Sequence, residues 1–269
     1  MVELFEENVR MEPGSSKGNQ LKWFDGTYWY KADYTGYEGL AEHVCSEILK
    51  RSTLEPSEYV LYDTEQIRYK SQTMLGCRSA NMLPRGWQLI TLERLIKQRS
   101  GFSIGARIYA LPTVEERIQY LVKEAIKATG LADFGIYFSK VLTIDALFLN
   151  EDRHTHNIAV LESPDGRFHY CPFFDHGASL LSDTAMDYPT GDDVYRLMGT
   201  VRAKTVCGSF DEALEAAEVL YGNRIGFHFS YDTLTDILNA EPYYPEETKQ
   251  RVRAVLTEQK RRYGYLFKE

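Results

Sequence analysis

The sequence predicts an α+β protein with a small β-rich amino-terminal lobe and a larger helical carboxy-terminal lobe. Near the amino terminus, aromatic-rich runs flank Asp25-Gly26 and indicate a hairpin, because this dipeptide suits a tight two-residue turn. From Thr91 onward, apolar residues recur mostly at helical spacing. Leu83-Pro84-Arg85-Gly86 breaks the pattern between these regions. We therefore expect lobes at residues 1–85 and 86–269.

Alternating and periodic apolar residues predict the elements of the first lobe. Strands are expected at Gln20 to Phe24 and Thr27 to Asp33, on either side of the turn. A helix is expected at Glu38 to Lys50, where apolar residues follow a helical period. Two more strands are expected at Tyr59 to Tyr62 and Gln72 to Met82.

Helices dominate the prediction for the second lobe. Thr113 is expected to cap the start of a helix that ends near Gly130, and the apolar run Phe134 to Phe148 predicts a buried helix. A strand pair is expected at Asn157 to Leu161 and Phe168 to Phe173. The tail is expected to form helices at Asp211 to Leu220, Tyr231 to Asn239 and Glu246 to Leu266.

The overall composition bears on location and on partners. The net charge of −8 argues against broad binding to nucleic acid or anionic membranes, which requires a basic face. The chain has four cysteines and no Cys-x-x-Cys pair, so reduced cytosolic thiols are expected. Its first ten residues lack the apolar region of a secretory signal, and no apolar run approaches bilayer length. We expect a cytoplasmic protein without membrane or direct nucleic-acid binding.

The chemistry-bearing residues lie in Asn150 to Asn157 and Phe173 to Gly177. Phosphoryl transfer from ATP needs a group that takes the acceptor proton and others that hold Mg²⁺. Mg²⁺ prefers oxygen ligands. The pattern therefore predicts a magnesium–phosphate site with Asp152 as base and with Asn157 and Asp175 as metal ligands. The alternative is that the three are ordinary turn and strand-edge residues.

These segments resemble the Asp-Arg-His-x-x-Asn and Asp-x-Gly elements of the phosphatidylinositol-kinase-like and HipA-like kinase superfamily. The chain is most similar to the HipA-like bacterial serine/threonine kinases in length and amino-terminal pattern. The resemblance implies a two-lobed protein-kinase-like fold that uses ATP and Mg²⁺. It assigns the base to Asp152 and the metal ligands to Asn157 and Asp175. His176 stands where protein kinases usually have Phe.

The same resemblance implies a lysine that contacts the α- and β-phosphates of ATP. Lys31, at the end of the second hairpin strand, is placed like the strand lysine of a kinase lobe. Its expected partner is Glu42 on the next helix, with Glu38 one turn earlier as an alternative. Without a nucleotide role, Lys31 would be an edge-strand lysine that prevents aggregation.

Two further nucleotide contacts are expected from position. The segment Gly14 to Asn19 falls where the resemblance predicts a phosphate loop, and its small residues would let backbone N–H groups approach phosphate. The cofactor-binding residues expected there are Ser15, Ser16, Lys17 and Gly18. Asn81, in the junction between the lobes, is expected to lie against the adenine through its backbone.

The resemblance implies a serine/threonine protein kinase with an unidentified protein substrate. HipA-like relatives often act beside a small DNA-binding antitoxin, so a small antitoxin-like partner is implied by analogy. A small-molecule or lipid kinase and a protein adenylyltransferase are alternatives on the same scaffold. A metal-dependent hydrolase built on His154 and His156 is a non-kinase alternative, and a pseudokinase-like binding module is a non-enzymatic one.

Overall fold

A computed structural model describes residues 1–10 and 20–267 of the chain. The expected phosphate-loop residues Ser15, Ser16, Lys17 and Gly18 lie outside the described residues. Within the described ranges, no helix is both long enough and apolar enough to cross a membrane.

Strands and helices are named in chain order. The strands are β1 (Val2–Glu3), β2 (Lys22–Phe24), β3 (Tyr28–Ala32), β4 (Tyr62–Tyr69), β5 (Gln72–Ala80), β6 (Gln88–Thr91), β7 (Ala159–Glu162) and β8 (Phe168–Tyr170). The helices are α1 (Glu38–Leu49), α2 (Leu92–Ser100), α3 (Ile104–Ile108), α4 (Val114–Thr129), α5 (Phe134–Phe148), α6 (Val194–Met198), α7 (Phe210–Tyr221), α8 (Tyr231–Ala240) and α9 (Glu246–Arg262).

The chain divides into two compact units, which are each built from separate stretches of sequence. The first unit contains Met1–Met82, Phe174–Val201 and Gly226–Glu269. The second contains Leu83–Phe173 and Arg202–Ile225. The lobe boundary that we expect at residue 85 stays a prediction.

The first unit contains a five-stranded sheet in the order β1-β4-β5-β3-β2. The β2–β3 hairpin forms as predicted, and Asp25 Oδ1 closes its turn by accepting the N–H groups of Thr27 and Tyr28. The strand expected at Tyr59 to Tyr62 is wrong, because β4 begins only at Tyr62. In β4, exposed or half-buried polar residues separate the buried ones, so this segment lacks the run of apolar and β-branched residues that is typical of a strand.

Helix α1 packs closely on this sheet. A β-carbon on Gly39 would overlap the backbone carbonyl group of Gly76 on β5, so only glycine allows the observed approach. Glu42 lies one turn after Gly39, and the close packing brings its carboxylate within reach of the neighbouring strand β3.

Replacing Gly39 by alanine is therefore expected to lower the free energy of unfolding by about 2 kcal/mol, because α1 must move off the sheet. Urea denaturation of both proteins measures the change. Gly191→Ala is the matched control, since a β-carbon there meets no atom within 4 Å. Equal stability of the two variants would contradict the close-packing explanation.

The second unit combines a three-stranded sheet, in the order β6-β7-β8, with helices α2 to α5 and α7. The predicted helix Phe134 to Phe148 is confirmed, and its apolar surface is buried against α7 and α4. Thr113 caps α4 as predicted, with its hydroxyl accepting the N–H of Glu116. Strand β6 is not predicted from the sequence, because it has only four residues and closely follows the break at Pro84 to Gly86.

Candidate functional site

Lys31 on β3 lies between two carboxylates of the first unit. Its Nζ atom is 2.7 Å from Glu42 Oε1 on α1 and 2.6 Å from Asp175 Oδ1. The side chain of Glu42 is 1% exposed, that of Lys31 14% and that of Asp175 34%. The structure thus brings Asp175, 144 residues from Lys31, to the predicted pair Lys31 and Glu42, and Asp175 is the most exposed of the three.

The electrostatics of this cluster favour a charged lysine. Burial acts to lower the pKa of Lys31, but the carboxylates of Asp175 and Glu42 outweigh it and raise that pKa well above its usual value. Burial raises the pKa of Glu42, although the nearby Lys31 ammonium opposes the change. The Glu42 carboxylate also accepts the backbone N–H of His176 at 2.7 Å.

Glu38, the alternative lysine partner, has a different role. Its carboxylate accepts the backbone N–H groups of Thr35 and Gly36 at the start of α1. Asp33 anchors the same helix end, where its Oδ1 accepts the N–H of Gly39 at 2.7 Å. These bonds fix the first turn of α1, and Glu42 in the next turn is the residue that pairs with Lys31.

Asp175 has an unusual backbone conformation, with φ of 62° in the left-handed region. Aspartate tolerates this region better than most residues, but surrounding contacts must hold it there. Two of those contacts are the ion pair to Lys31 and the bond from the next N–H, that of His176, to Glu42. The backbone after β8 is therefore held in the position that directs the Asp175 carboxylate at Lys31.

In the second unit, Asp152 and Asn157 close a short loop that follows α5. The Asn157 Nδ2 atom donates to Asp152 Oδ2 at 3.0 Å and to the Asp152 backbone carbonyl at 2.8 Å. The amide nitrogen of Asn157 thus faces Asp152, and its amide oxygen is the atom that could serve as a metal ligand. The loop therefore holds one carboxylate and one amide side by side, and their roles as base and metal ligand stay predictions.

A buried ion pair holds this loop. Arg153 Nε lies 3.2 Å from Asp145 Oδ1, with side chains 7% and 2% exposed. Arg153 also donates to the Asn157 carbonyl at 2.9 Å, while Asn150 donates to Asp145 at 3.0 Å. Burial raises the pKa of Asp145 to about 6, against the lowering effect of Arg153. Arg153 therefore braces the loop from within.

Two other residues that hold the Asp152 loop in place could not be identified from the sequence. Glu93 Oε2 on α2 accepts the Thr155 hydroxyl at 2.8 Å and the Gly105 N–H at 3.0 Å. The Thr205 hydroxyl donates to the Arg153 carbonyl at 2.6 Å. Neither Glu93 nor Thr205 belongs to a motif, and both reach the loop from distant sequence positions.

The two histidines of the loop lie side by side at its surface. His154 Nε2 is 3.7 Å from Asp152 Oδ1, and burial lowers the pKa of His154 although Asp152 opposes the change. The ring centroids of His154 and His156 are 5.5 Å apart. Within residues 1–10 and 20–267, no group of three or more His, Cys, Asp or Glu side chains has an arrangement that could hold a metal ion.

The chemistry of the donor atoms suits Mg²⁺ when each unit is taken by itself. The second unit offers the Asn157 amide oxygen beside Asp152, and the first offers the part-exposed Asp175 carboxylate. All three groups carry oxygen ligands, which Mg²⁺ prefers, and Mg²⁺ usually takes only one or two carboxylates besides water and phosphate oxygens. Each unit by itself therefore offers oxygen ligands of the kind that Mg²⁺ prefers, and the assignment of Asn157 and Asp175 as its ligands stays a prediction.

Asn81 follows β5 and is exposed. Its side-chain oxygen accepts the Trp29 indole N–H at 3.3 Å, and its backbone N–H donates to the Thr27 carbonyl at 3.0 Å. A contact between Asn81 and adenine stays a prediction, as does the role of residues 15–18.

Similarity to known proteins is found by comparing structures and not by comparing sequences. No family model matches the chain. No curated protein matches it by sequence. The solved structure of the Helicobacter pylori proinflammatory kinase CtkA matches with a TM-score of 0.62 and 14% identity, over 98% of this chain and 96% of that one.

A complex of HipA, HipB and operator DNA from Shewanella oneidensis also matches, with a TM-score of 0.48 and 12% identity. That match covers 94% of this chain and 66% of the other. The likeness to CtkA shows the fold, as the resemblance to HipA-like kinases predicts: the chain has a two-lobed, α+β kinase fold.

Proposed function

We propose that this protein is an ATP-dependent phosphotransferase of the HipA-like type, and that its acceptor is a serine or threonine of another protein. The observation that carries the proposal is the Lys31–Glu42–Asp175 cluster within a kinase fold. A buried glutamate that orients a strand lysine is the arrangement a kinase uses to hold ATP phosphates. A structural lysine at a sheet edge would not need two carboxylate partners.

In the proposed reaction, Lys31 contacts the α- and β-phosphates of ATP. Asp152 orients the acceptor hydroxyl and takes its proton as the oxygen attacks the γ-phosphorus. A new P–O bond forms to the acceptor, the bond to the β-phosphate oxygen breaks, and ADP leaves. Asn157 and Asp175 would hold Mg²⁺, which neutralises charge on the phosphate oxygens when it is bound.

The surrounding contacts support these roles. The bonds from Asn157 to Asp152 and from Arg153 to the Asn157 carbonyl restrict both proposed reactive side chains before substrate arrives. Such preorganisation is what a positioning mechanism requires. Ser15, Ser16, Lys17 and Gly18 remain proposed for the phosphate loop, and Asn81 for adenine. A cytoplasmic location and a small antitoxin-like partner also belong to the proposal.

Incubation with labelled ATP tests the reaction class. We expect the label of γ-labelled ATP to appear on protein and that of α-labelled ATP not to, and we expect EDTA to abolish transfer. Retention of the α-label would instead indicate adenylyl transfer. Hydrolytic activity without ATP that zinc restores after chelation would overturn the kinase proposal in favour of a metal-dependent hydrolase.

A further inference from the structure

The second unit carries basic residues in stretches that contain no acid. Residues 94–114 include four cations and no Asp or Glu, and residues 202–210 include two cations and no acid. These are unusual intervals in a protein with 39 acidic residues and a net charge of −8. Exposed cations within them include Arg107 on α3 and Lys204.

The two stretches adjoin each other and the Asp152 loop. The Tyr109 hydroxyl donates to the Lys204 carbonyl at 3.0 Å, which ties the end of α3 to the second stretch. One residue further on, the Thr205 hydroxyl donates to the Arg153 carbonyl within the loop. Burial, and to a smaller extent the Lys204 ammonium, lowers the pKa of His154, and His154 Nε2 lies 3.7 Å from Asp152 Oδ1.

Among the described residues, neither of these two cations has a carboxylate partner, whereas several exposed cations of the first unit do. In the first unit, exposed cations form the ion pairs Lys70–Glu6, Arg196–Asp192 and Arg261–Glu258. Within residues 1–10 and 20–267, no carboxylate lies at ion-pair distance from Lys204 or Arg107. Arg107 instead stacks over the Phe102 ring, with 3.6 Å between its guanidinium carbon and the ring centroid.

We propose that Arg107 and Lys204 bind an acidic stretch of the protein acceptor and thereby select hydroxyl residues flanked by Asp or Glu. The proposal rests on the proposed function and adds a substrate class to it. Because Lys204 and Arg107 have no carboxylate partner within the part of the chain that the structure describes, charge complementarity favours acidic side chains as their ligands. A nucleic acid fits less well, because the patch has too few cations to neutralise a run of phosphates.

Peptide binding tests the proposal independently of catalysis. The probes are two fluorescent peptides with alanine in place of the acceptor residue, one flanked by Asp and Glu and the other by Lys. Fluorescence anisotropy with the full chain, without ATP, gives their affinities. We expect the acidic peptide to bind more tightly, and its affinity to fall as salt rises from about 0.05 to about 0.5 M because exposed charges are screened.

Charge reversal then locates the binding surface. Lys204→Glu is expected to weaken acidic-peptide binding at least about tenfold. Lys127→Glu, the same change at an exposed position near the end of α4, is the matched control and should change affinity by less than about twofold. Arg107→Ala serves as a second variant if Lys204→Glu melts at a lower temperature than wild type.

The proposal is overturned if the acidic peptide binds no better than the basic one, or if Lys204→Glu and Lys127→Glu weaken it equally. Displacement of the peptide by a short single-stranded RNA at lower concentration would also overturn it, in favour of a nucleic-acid surface. Asp152→Asn should retain peptide binding. If the protein transfers phosphate equally well to acceptor residues flanked by acidic and by basic residues, the proposed function stands and this inference is refuted.

Discussion

Replacing Asp152 by asparagine is expected to lower phosphotransfer from ATP by about 10³-fold. Asparagine has nearly the same shape and can still accept the bond from Asn157, but it cannot take the acceptor proton. The Asp145–Arg153 pair and the Glu93–Thr155 bond should hold the loop in place. The loss is therefore expected in kcat, with nucleotide affinity changed by less than about twofold.

Single-turnover transfer of the γ-phosphoryl group measures the loss, and titration with a fluorescent ATP analogue measures binding. Asp165→Asn, in the turn between β7 and β8, is the matched control because it removes an exposed carboxylate whose ion pair to Arg167 adds little. Wild-type transfer by Asp152→Asn would refute Asp152 as base. A lowered melting temperature in that variant alone would assign Asp152 a structural role.

Lys31→Met is expected to produce the largest loss of stability, about 3 kcal/mol near pH 7.5. Removing the ammonium leaves the Glu42 carboxylate buried with His176 N–H as a donor but without its cation. Phosphotransfer should fall at least about 10²-fold, because the phosphates lose a cationic contact. Lys50→Met is the control, since Lys50 is 52% exposed and 3.8 Å from Glu47.

The stability loss of Lys31→Met should depend on pH. Burial raises the pKa of Glu42, and removing Lys31 should raise it further. A carboxyl group with a raised pKa in the folded state favours folding while it is protonated and loses that contribution as pH rises above its ordinary pKa of 4.5. The difference from wild type should therefore be small near pH 5 and grow towards pH 7.5.

Chemical denaturation at both pH values measures this difference. The double variant Lys31→Met/Glu42→Gln should recover stability, since an uncharged amide can still accept the His176 N–H, but it should not recover phosphotransfer. A loss of stability that is constant between about pH 5 and about pH 7.5 would contradict the buried-carboxylate explanation.

Local patterns in the sequence account for the elements that were predicted correctly. The Asp25-Gly26 hairpin, the capped helix α4 and the apolar helix α5 depend on neighbouring residues, so turn chemistry and periodicity reveal them. Strand β4 is the instructive exception. Its charged residues conceal a strand that exists because β1 and β5 pair with it.

The sequence alone determined the chemical character of the site: oxygen-bearing side chains spaced as Asp152, Asn157 and Asp175, with a resemblance to kinases. The tertiary structure decided the partners. In the folded chain Asp175 forms an ion pair with Lys31, 144 residues away. Glu42, and not Glu38, is the second partner of Lys31. Arg153 is buried in an ion pair with Asp145. Spacing along a chain shows which groups a segment can present, whereas a charge pair between distant segments depends on how the intervening chain packs.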